Sequence, residues 1–100
     1  MARKLIDDEA DILQAATAMK AIAHPLRLKI LCVLADGELS VQDIVEQVGT
    51  SQSNISQHLS ILRDKAVLFT RKDANRVYYR IDDARIFKLV AMMRDVFCSV

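Results

Sequence analysis

A single glycine separates two short amphipathic segments in the middle of the chain. The first begins at Ser40, a typical helix-capping residue with an acidic residue three positions later, and it ends at Gly49. In the second segment, Ile55, Leu59 and Leu62 recur at helical spacing and form one apolar face. The opposite face carries amide, hydroxyl and imidazole groups. Two helices joined by a tight glycine turn, the second with a polar front, predict a helix-turn-helix motif.

The segments on either side of this motif also have helical patterns. Apolar residues recur at helical spacing over residues 8–23. Acidic residues stand at the N-terminal end, where the positive end of the helix dipole favours them. A histidine-proline pair at 24–25 interrupts the pattern, and the next segment is apolar nearly all round until the Asp-Gly pair at 36–37. This segment is therefore predicted to be the central helix of the core. A last amphipathic helix is predicted over residues 84–98.

After Lys65 the hydrophobic period changes from helical to alternating. Residues 67–72 and 76–81 predict two strands, joined by a polar turn at 73–75 with basic residues on both sides. Glycine and proline are scarce, at two and one, as expected for a mainly helical chain. Residues 1–100 are thus predicted to form one mainly α, winged helix-turn-helix domain with five helices and a two-stranded hairpin wing.

The charges along the chain are distributed unevenly, although the net charge is only +1. Residues 1–53 contain five Lys and Arg against eight Asp and Glu, and residues 54–80 contain six against two. Residues 81–100 contain three of each sign. Positive charge therefore concentrates in the segment that includes most of the polar-fronted helix and the hairpin, as a surface that contacts phosphates requires.

The polar front of the fourth helix has the side chains that suit a DNA major groove. Amide, hydroxyl and imidazole groups can hydrogen-bond to base edges, and no carboxylate is present there to repel phosphates. Basic residues beside the hairpin turn would contact the DNA backbone and contribute affinity rather than sequence selectivity. Taken singly, each surface could also be ordinary solvated protein. The predicted DNA-contacting residues are Ser51, Gln52, Ser53, Asn54, Ser56, Gln57 and His58 on the helix, with Arg71, Lys72, Asn75 and Arg76 on the hairpin.

Three segments of the chain are recognisable as a set: MKAIAHPLRLKILCVL at 19–34, SQSNISQHL at 51–59 and RVYYRI at 76–81. Together, and in this order, they resemble the ArsR family of winged-helix repressors over nearly the whole chain. The resemblance implies a homodimer joined through the first and last helices, a recognition helix at about 51–62 and a wing at about 72–76. It also implies an imperfectly palindromic operator in double-stranded DNA, which is released when an inducer binds or reacts.

The two cysteines, Cys32 and Cys98, are separated by 65 residues. In a reducing compartment this is a poor basis for a structural disulfide, so they are either packing residues or reactive thiols. Cys32 lies in the most apolar segment and by itself is expected in the core, whereas Cys98 is expected to be accessible. Their positions resemble those in the sulfide- and persulfide-responsive branch of the ArsR family. That resemblance implies that a reactive sulfur species or an oxidant links the two sulfurs and weakens DNA binding.

Metal sensing through the cysteines is the main alternative. Residues 38–44, ELSVQDI, align with a metal-binding segment of other ArsR proteins, but Ser40 and Gln42 replace its cysteines. The only histidines, His24 and His58, are not on the last helix, where another metal site of the family lies. Because soft or borderline ions need several S or N ligands, metal sensing is disfavoured, and neither a metal nor another cofactor is expected.

A protein-interaction module and an enzyme are the two alternatives to a DNA-binding protein. A protein-interaction or dimerisation module without a DNA target would not require the polar helix front or the clustered positive charge. No arrangement typical of a catalytic site is recognisable, so the chain is not expected to be an enzyme. No apolar stretch approaches the roughly 18 residues of a membrane span, and the first ten residues do not resemble a secretory signal, which together predict a cytoplasmic protein.

Overall fold

The computed structural model of the protein describes residues 5–98 and contains five α-helices and three β-strands in that range. It confirms the winged helix-turn-helix fold, with one strand more than expected. A short strand precedes the third helix and adds to the hairpin. The elements are α1 (Glu9–Ile22), α2 (Pro25–Val33), β1 (Leu39–Ser40), α3 (Val41–Val48), α4 (Gln52–Asp64), β2 (Leu68–Asp73), β3 (Arg76–Ile81) and α5 (Ala84–Phe97).

The sheet is antiparallel in the order β1-β3-β2. β2 and β3 pair from Leu68 opposite Ile81 to Asp73 opposite Arg76, which leaves a two-residue turn at 74–75. The predicted turn was one residue longer, because Asp73 belongs to the strand. β1 was not predicted: two residues are too few to show an alternating pattern, and their partners on β3 are distant in sequence.

Side-chain caps fix the starts of the helices that form the motif. The Oγ of Ser40 accepts a hydrogen bond from the backbone N–H of Asp43 at 3.2 Å, and the Oγ of Ser51 accepts one from Asn54 at 3.1 Å. Gly49 ends α3 with φ of +85°, in the left-handed region that glycine adopts without steric cost. These caps confirm the predicted boundaries of α3 and the start of α4.

The core lies between α2, α3, α4 and the base of the hairpin. α2 is central to it, and α4 buries the predicted apolar face. The buried apolar residues that form this cluster are Ile22, Ile30, Leu31, Leu34, Ile44, Val48, Ile55, Leu59, Leu62, Val67 and Leu68. Within residues 5–98, no helix is long and apolar enough to cross a lipid bilayer.

The first and last helices contribute little to this core. α1 buries only Ala21 and Ile22, both in its last turn, and none of the 14 residues of α5, all within the described part of the chain, is fully buried. Large apolar side chains remain exposed on both helices: Ile12, Leu13 and Met19 on α1, and Phe87, Leu89, Met92, Val96 and Phe97 on α5.

Candidate nucleic-acid interface and thiol cleft

The first half of α4 presents a polar surface that is held in place from behind. Ile55 and Leu59 are fully buried, so the helix is fixed against the core. In front of them, four of the predicted DNA-contacting residues on the helix are exposed: Gln52, Ser53, Ser56 and Gln57. Exposed amides and hydroxyls on a rigid helix provide the donors and acceptors that recognise base edges.

Three other predicted residues on or beside α4 have partners within the protein. The Oγ of Ser51 caps the helix, and the Nδ2 of Asn54 donates to Thr50 Oγ1 at 3.2 Å. His58 is half-buried and lies against α2: its Nδ1 is 3.0 Å from Arg27 Nη1, and its ring centroid is 4.6 Å from that of His24. The structure thus places the imidazole of His58 against the protein, beside rather than within the exposed polar surface.

The surroundings of His58 disfavour its protonated form. Partial burial is the largest cause, followed by the nearby His24 and then by the guanidinium of Arg27, and together they lower the pKa of His58 below its usual value of 6.5. The Arg27–His58 contact joins residues 31 positions apart. The sequence contained no periodic signal for it, because it depends on how α2 and α4 cross.

The tip of the hairpin carries three of the four predicted backbone contacts in exposed positions. Lys72, Asn75 and Arg76 surround the turn. Arg80, also exposed, lies on the same face of β3 as Arg76, with its guanidinium 4.6 Å from the ring centroid of Phe69. Arg80 was not among the predicted DNA-contacting residues, although it belongs to the same positively charged segment.

Arg71 is exposed but already has an anionic partner. Its Nη2 donates to Glu38 Oε1 at 2.6 Å, its Nε lies 3.1 Å from both carboxylate oxygens, and the guanidinium lies over the Tyr78 ring. These hydrogen bonds raise the pKa of Arg71 and lower the pKa of Glu38. Arg71 therefore presents less uncompensated positive charge to DNA than Lys72 or Arg76.

Both cysteines are exposed thiols that line one cleft between α2, β3 and α5, with a volume of about 400 Å³. The expected burial of Cys32 in the core is wrong, because Ile30, Leu31 and Leu34 occupy the buried positions of this region. The expected accessibility of Cys98, the C-cap residue of α5, is confirmed. The cleft is otherwise mostly apolar, and its lining includes Leu28, Ile81, Phe87, Val90 and Phe97.

The described part of the chain holds no cluster of three or more His, Cys, Asp or Glu side chains that could bind a metal ion. Ser40, at one of the positions where metal-sensing relatives have cysteine, is buried, and its hydroxyl caps α3. This position serves the local fold.

Comparison with known proteins identifies relatives over most of the chain. The family model described as "Bacterial regulatory protein, arsR family" matches residues 24–65. The biofilm growth-associated repressor of Xylella fastidiosa is 34% identical over 86% of this chain and 75% of its own length.

Solved structures agree with this assignment. Reduced HlyU from Vibrio cholerae aligns with 91% of this chain and 96% of its own at 35% identity and a TM-score of 0.81. The homodimeric winged helix-turn-helix DNA-binding domain of Mb0332 from Mycobacterium bovis aligns with 96% of this chain and 89% of its own, at 34% identity and a TM-score of 0.81. The chain belongs to the ArsR family of bacterial regulatory proteins, and it is a DNA-binding regulator of transcription rather than an enzyme.

Proposed function

We propose that this chain is a homodimeric, cytoplasmic repressor that releases its operator when Cys32 and Cys98 become linked by oxidation or persulfidation. The observation that carries the proposal is the shared cleft, in which two exposed thiols from distant parts of the sequence face the same space. Repression is supported by the biofilm growth-associated repressor of X. fastidiosa. The V. cholerae relative has a structure of its reduced form, which supports a redox-dependent state for this chain as well.

The operator contacts follow from the exposed surfaces. α4 enters the major groove with Gln52, Ser53, Ser56 and Gln57 facing the base edges, while Ser51 and Asn54 hold the start of the helix. Lys72, Asn75 and Arg76 at the wing tip contact the sugar-phosphate backbone of the same half-site.

The dimer is joined through α1 and α5, and it places one α4 in each half of an imperfect palindrome. These two helices carry most of the large apolar side chains that a single chain leaves exposed. The homodimeric M. bovis domain supports the same assembly here. A twofold interface of this kind requires a half-site spacing of one helical turn of DNA or a multiple of it.

The chemistry of the switch needs two thiols and one reactant. With an oxidant, the thiols lose two electrons and two protons and form a disulfide. With a persulfide donor R–S–SH, one thiolate takes the outer sulfur and R–SH leaves. The second thiolate then attacks the inner sulfur of the cysteine persulfide, which forms the disulfide and releases hydrogen sulfide. Two cysteine persulfides can instead condense to a trisulfide with loss of hydrogen sulfide, which spans a wider separation.

A covalent link between Cys32 and Cys98 would act on the recognition helix through α2. The link draws the end of α5 toward α2, across the cleft. α2 in turn contacts both helices of the motif, since Lys29 Nζ donates to the carbonyl of Val48 at 3.0 Å and Arg27 contacts His58. A shift of α2 is therefore transmitted to α3 and α4, and it misaligns the two recognition helices of the dimer.

The test combines intact mass spectrometry with operator-binding anisotropy on the same samples, before and after treatment with a persulfide donor or an oxidant. We expect a mass change of two hydrogens lost for a disulfide, or of one sulfur gained and two hydrogens lost for a trisulfide, together with weaker operator binding and reversal of both by a reductant. Cys32→Ser and Cys98→Ser should retain operator binding and lose the response. If both variants respond like the parent, the switch is refuted; tight stoichiometric binding of Zn(II), Cu(I) or As(III) would favour metal sensing instead.

A further inference from the structure

Three side chains form a polar cluster between the recognition helix and the start of α2. His24 is the N-cap residue of α2, and its Nδ1 accepts a hydrogen bond from the backbone N–H of Leu26 at 3.1 Å. Arg27, in the first turn of α2, points its Nη1 at the Nδ1 of His58 on α4. The two imidazole rings lie 4.6 Å apart between centroids, tilted by 42°. None of these three side chains lines the cleft of the two cysteines, and the proposed switch does not use their protonation.

The donors and acceptors in the cluster show which ring nitrogens accept hydrogen bonds. Arginine has donors only and stays charged, so Nδ1 of His58 must accept and therefore carries no proton. Nδ1 of His24 accepts from a backbone N–H and is also unprotonated. The charged and titratable groups that face His58 are thus the imidazole of His24 and the guanidinium of Arg27, both on the side of α2. A second proton on His58 would remove the acceptor and place two cations side by side.

Arg27 also connects the recognition helix to α1. Its Nε donates to the backbone carbonyl of Ala21, in the last turn of α1, while its Nη1 contacts His58. One guanidinium therefore bridges three helices, α1, α2 and α4. α1 is a helix of the proposed dimer interface, so the bridge fixes the angle at which the dimer presents α4 to DNA.

We infer that Arg27 and neutral His58 form a proton-sensitive link that positions the recognition helix, and that protonation of His58 weakens operator binding. In this role His58 is a positioning residue and not a base contact. The link needs no thiol chemistry, and it rests on the DNA-binding function of the family and on the proposed dimer interface through α1. Acidification of the cytoplasm would then release the operator without any thiol chemistry.

The direction of the pH effect follows from linkage. The protonated state of His58 is disfavoured in the positioned helix. Affinity is therefore complete above the pKa of the unconstrained imidazole, near 6.5, and it is lost as the pH falls from there through the lowered pKa of His58. General electrostatics would act in the opposite direction, because added positive charge strengthens binding to DNA. A loss of affinity on acidification therefore distinguishes the link from a simple charge effect.

The experiment measures operator binding by anisotropy from pH 7.5 to 5.5 at constant ionic strength, with both cysteines reduced. For the parent protein we expect the dissociation constant to rise about five-fold over this range. His58→Asn keeps an oxygen acceptor near the Nδ1 position and cannot titrate, so its affinity should stay nearly constant. His24→Asn is the matched control: asparagine also caps helices well, and this variant should keep most of the pH response.

A second measurement is independent of DNA binding and of how well each variant binds. The pKa of His58, followed by NMR in the free protein, should lie below 6.5 and should rise when Arg27→Gln removes the guanidinium. The inference is overturned if the parent binds as tightly or more tightly at pH 5.5, or if His58→Asn retains the full response. It also fails if Arg27→Gln leaves the pKa of His58 unchanged.

Discussion

Arg71 and Glu38 are 33 positions apart in sequence, yet they form the best-defined ion pair on the wing. Both side chains are partly exposed, so the pair contributes little to stability. Its effect on DNA binding is larger, because Glu38 compensates a cation that would otherwise face phosphates. The carboxylate also lies beside β3, on the side of the molecule that carries the wing.

Glu38→Gln should strengthen operator binding, since it removes the nearer of the two carboxylates that neutralise Arg71 and leaves only Asp73, at 3.7 Å from Nη1. We expect an affinity increase of about three-fold at low salt, and a plot of log affinity against log salt that is steeper by about one unit. Fluorescence anisotropy over a salt series measures both. Glu9→Gln on α1 removes an equal charge away from the wing and should change neither. Equal effects of the two variants would contradict a specific role for the ion pair.

Gln57 and Arg76 should differ in the kind of affinity they provide. Gln57→Ala removes a base-reading amide and should cost about 1–3 kcal/mol on the operator while it leaves binding to random DNA nearly unchanged. Arg76→Gln removes a backbone contact and should weaken both DNAs alike, with a salt slope lower by about one. Competition assays with operator and random duplexes separate the two patterns. If Arg76→Gln lost affinity for the operator alone, the wing would be a sequence reader.

The pattern of exposure explains which site residues the sequence could identify. Gln52 and Gln57 followed from helical periodicity, because a residue opposite a buried apolar face must be exposed. The placement of His58 and the pairing of Arg71 did not follow, since both depend on contacts between elements distant in the chain. For Cys32, the apolar neighbours suggested the core, but a short helix that is apolar all round cannot bury every side.

At the level of elements, α4 ends in a Schellman motif that has no glycine. The N–H of Val67 donates to the carbonyl of Leu62, and the N–H of Ala66 donates to that of Arg63, as the motif requires. Ala66 therefore has φ of +59°, a left-handed conformation that costs an alanine about 1–2 kcal/mol. Val67 and Leu62, whose side chains accompany the motif, are both buried. The packing of these two side chains thus holds the end of α4 in place, although the backbone conformation of Ala66 is unfavourable.

Ala66→Gly should stabilise the protein, because glycine adopts this conformation without steric cost. After the extra freedom of glycine in the unfolded chain is subtracted, we expect the free energy of unfolding to rise by up to about 1 kcal/mol. Urea denaturation measures this free energy of unfolding. Ala74→Gly, at the other left-handed alanine with φ of +55°, should act in the same direction. A loss of about 1 kcal/mol in both variants, typical of glycine inside regular helices, would contradict the conformation described.

The same elements show where sequence patterns lose their predictive power. Ser40 and Gly49 were identified as helix boundaries because caps have a local chemical requirement. The end of α4 gave no such signal, since Ala66 stands where glycine is usual. β1 was missed because its two residues are held by pairing with Tyr78 and Tyr79, about 40 positions later in the chain.

For the molecule as a whole, the distribution of apolar surface sets the assembly. The core fixes α2, α3 and α4, whereas α1 and α5 line a common apolar cavity and leave much of their apolar surface exposed. On α5, Met92 and Val96 are one helical turn apart and remain 60% and 64% exposed; on α1, Leu13 is 69% exposed. Such surface on two neighbouring helices marks a protein interface. The dimer then determines how far apart the two recognition helices lie.

Met92→Glu should therefore convert the dimer to a monomer and, through that, abolish tight operator binding. In a twofold interface each substitution occurs twice, so two carboxylates would enter the apolar contact. Sedimentation at micromolar concentration should show half the parent's mass. The dissociation constant for the full palindrome should rise at least about ten-fold, because the two half-sites are no longer bound by linked subunits. Binding to an isolated half-site should be unchanged, since α4 and the wing are intact. A dimeric Met92→Glu would place the interface elsewhere.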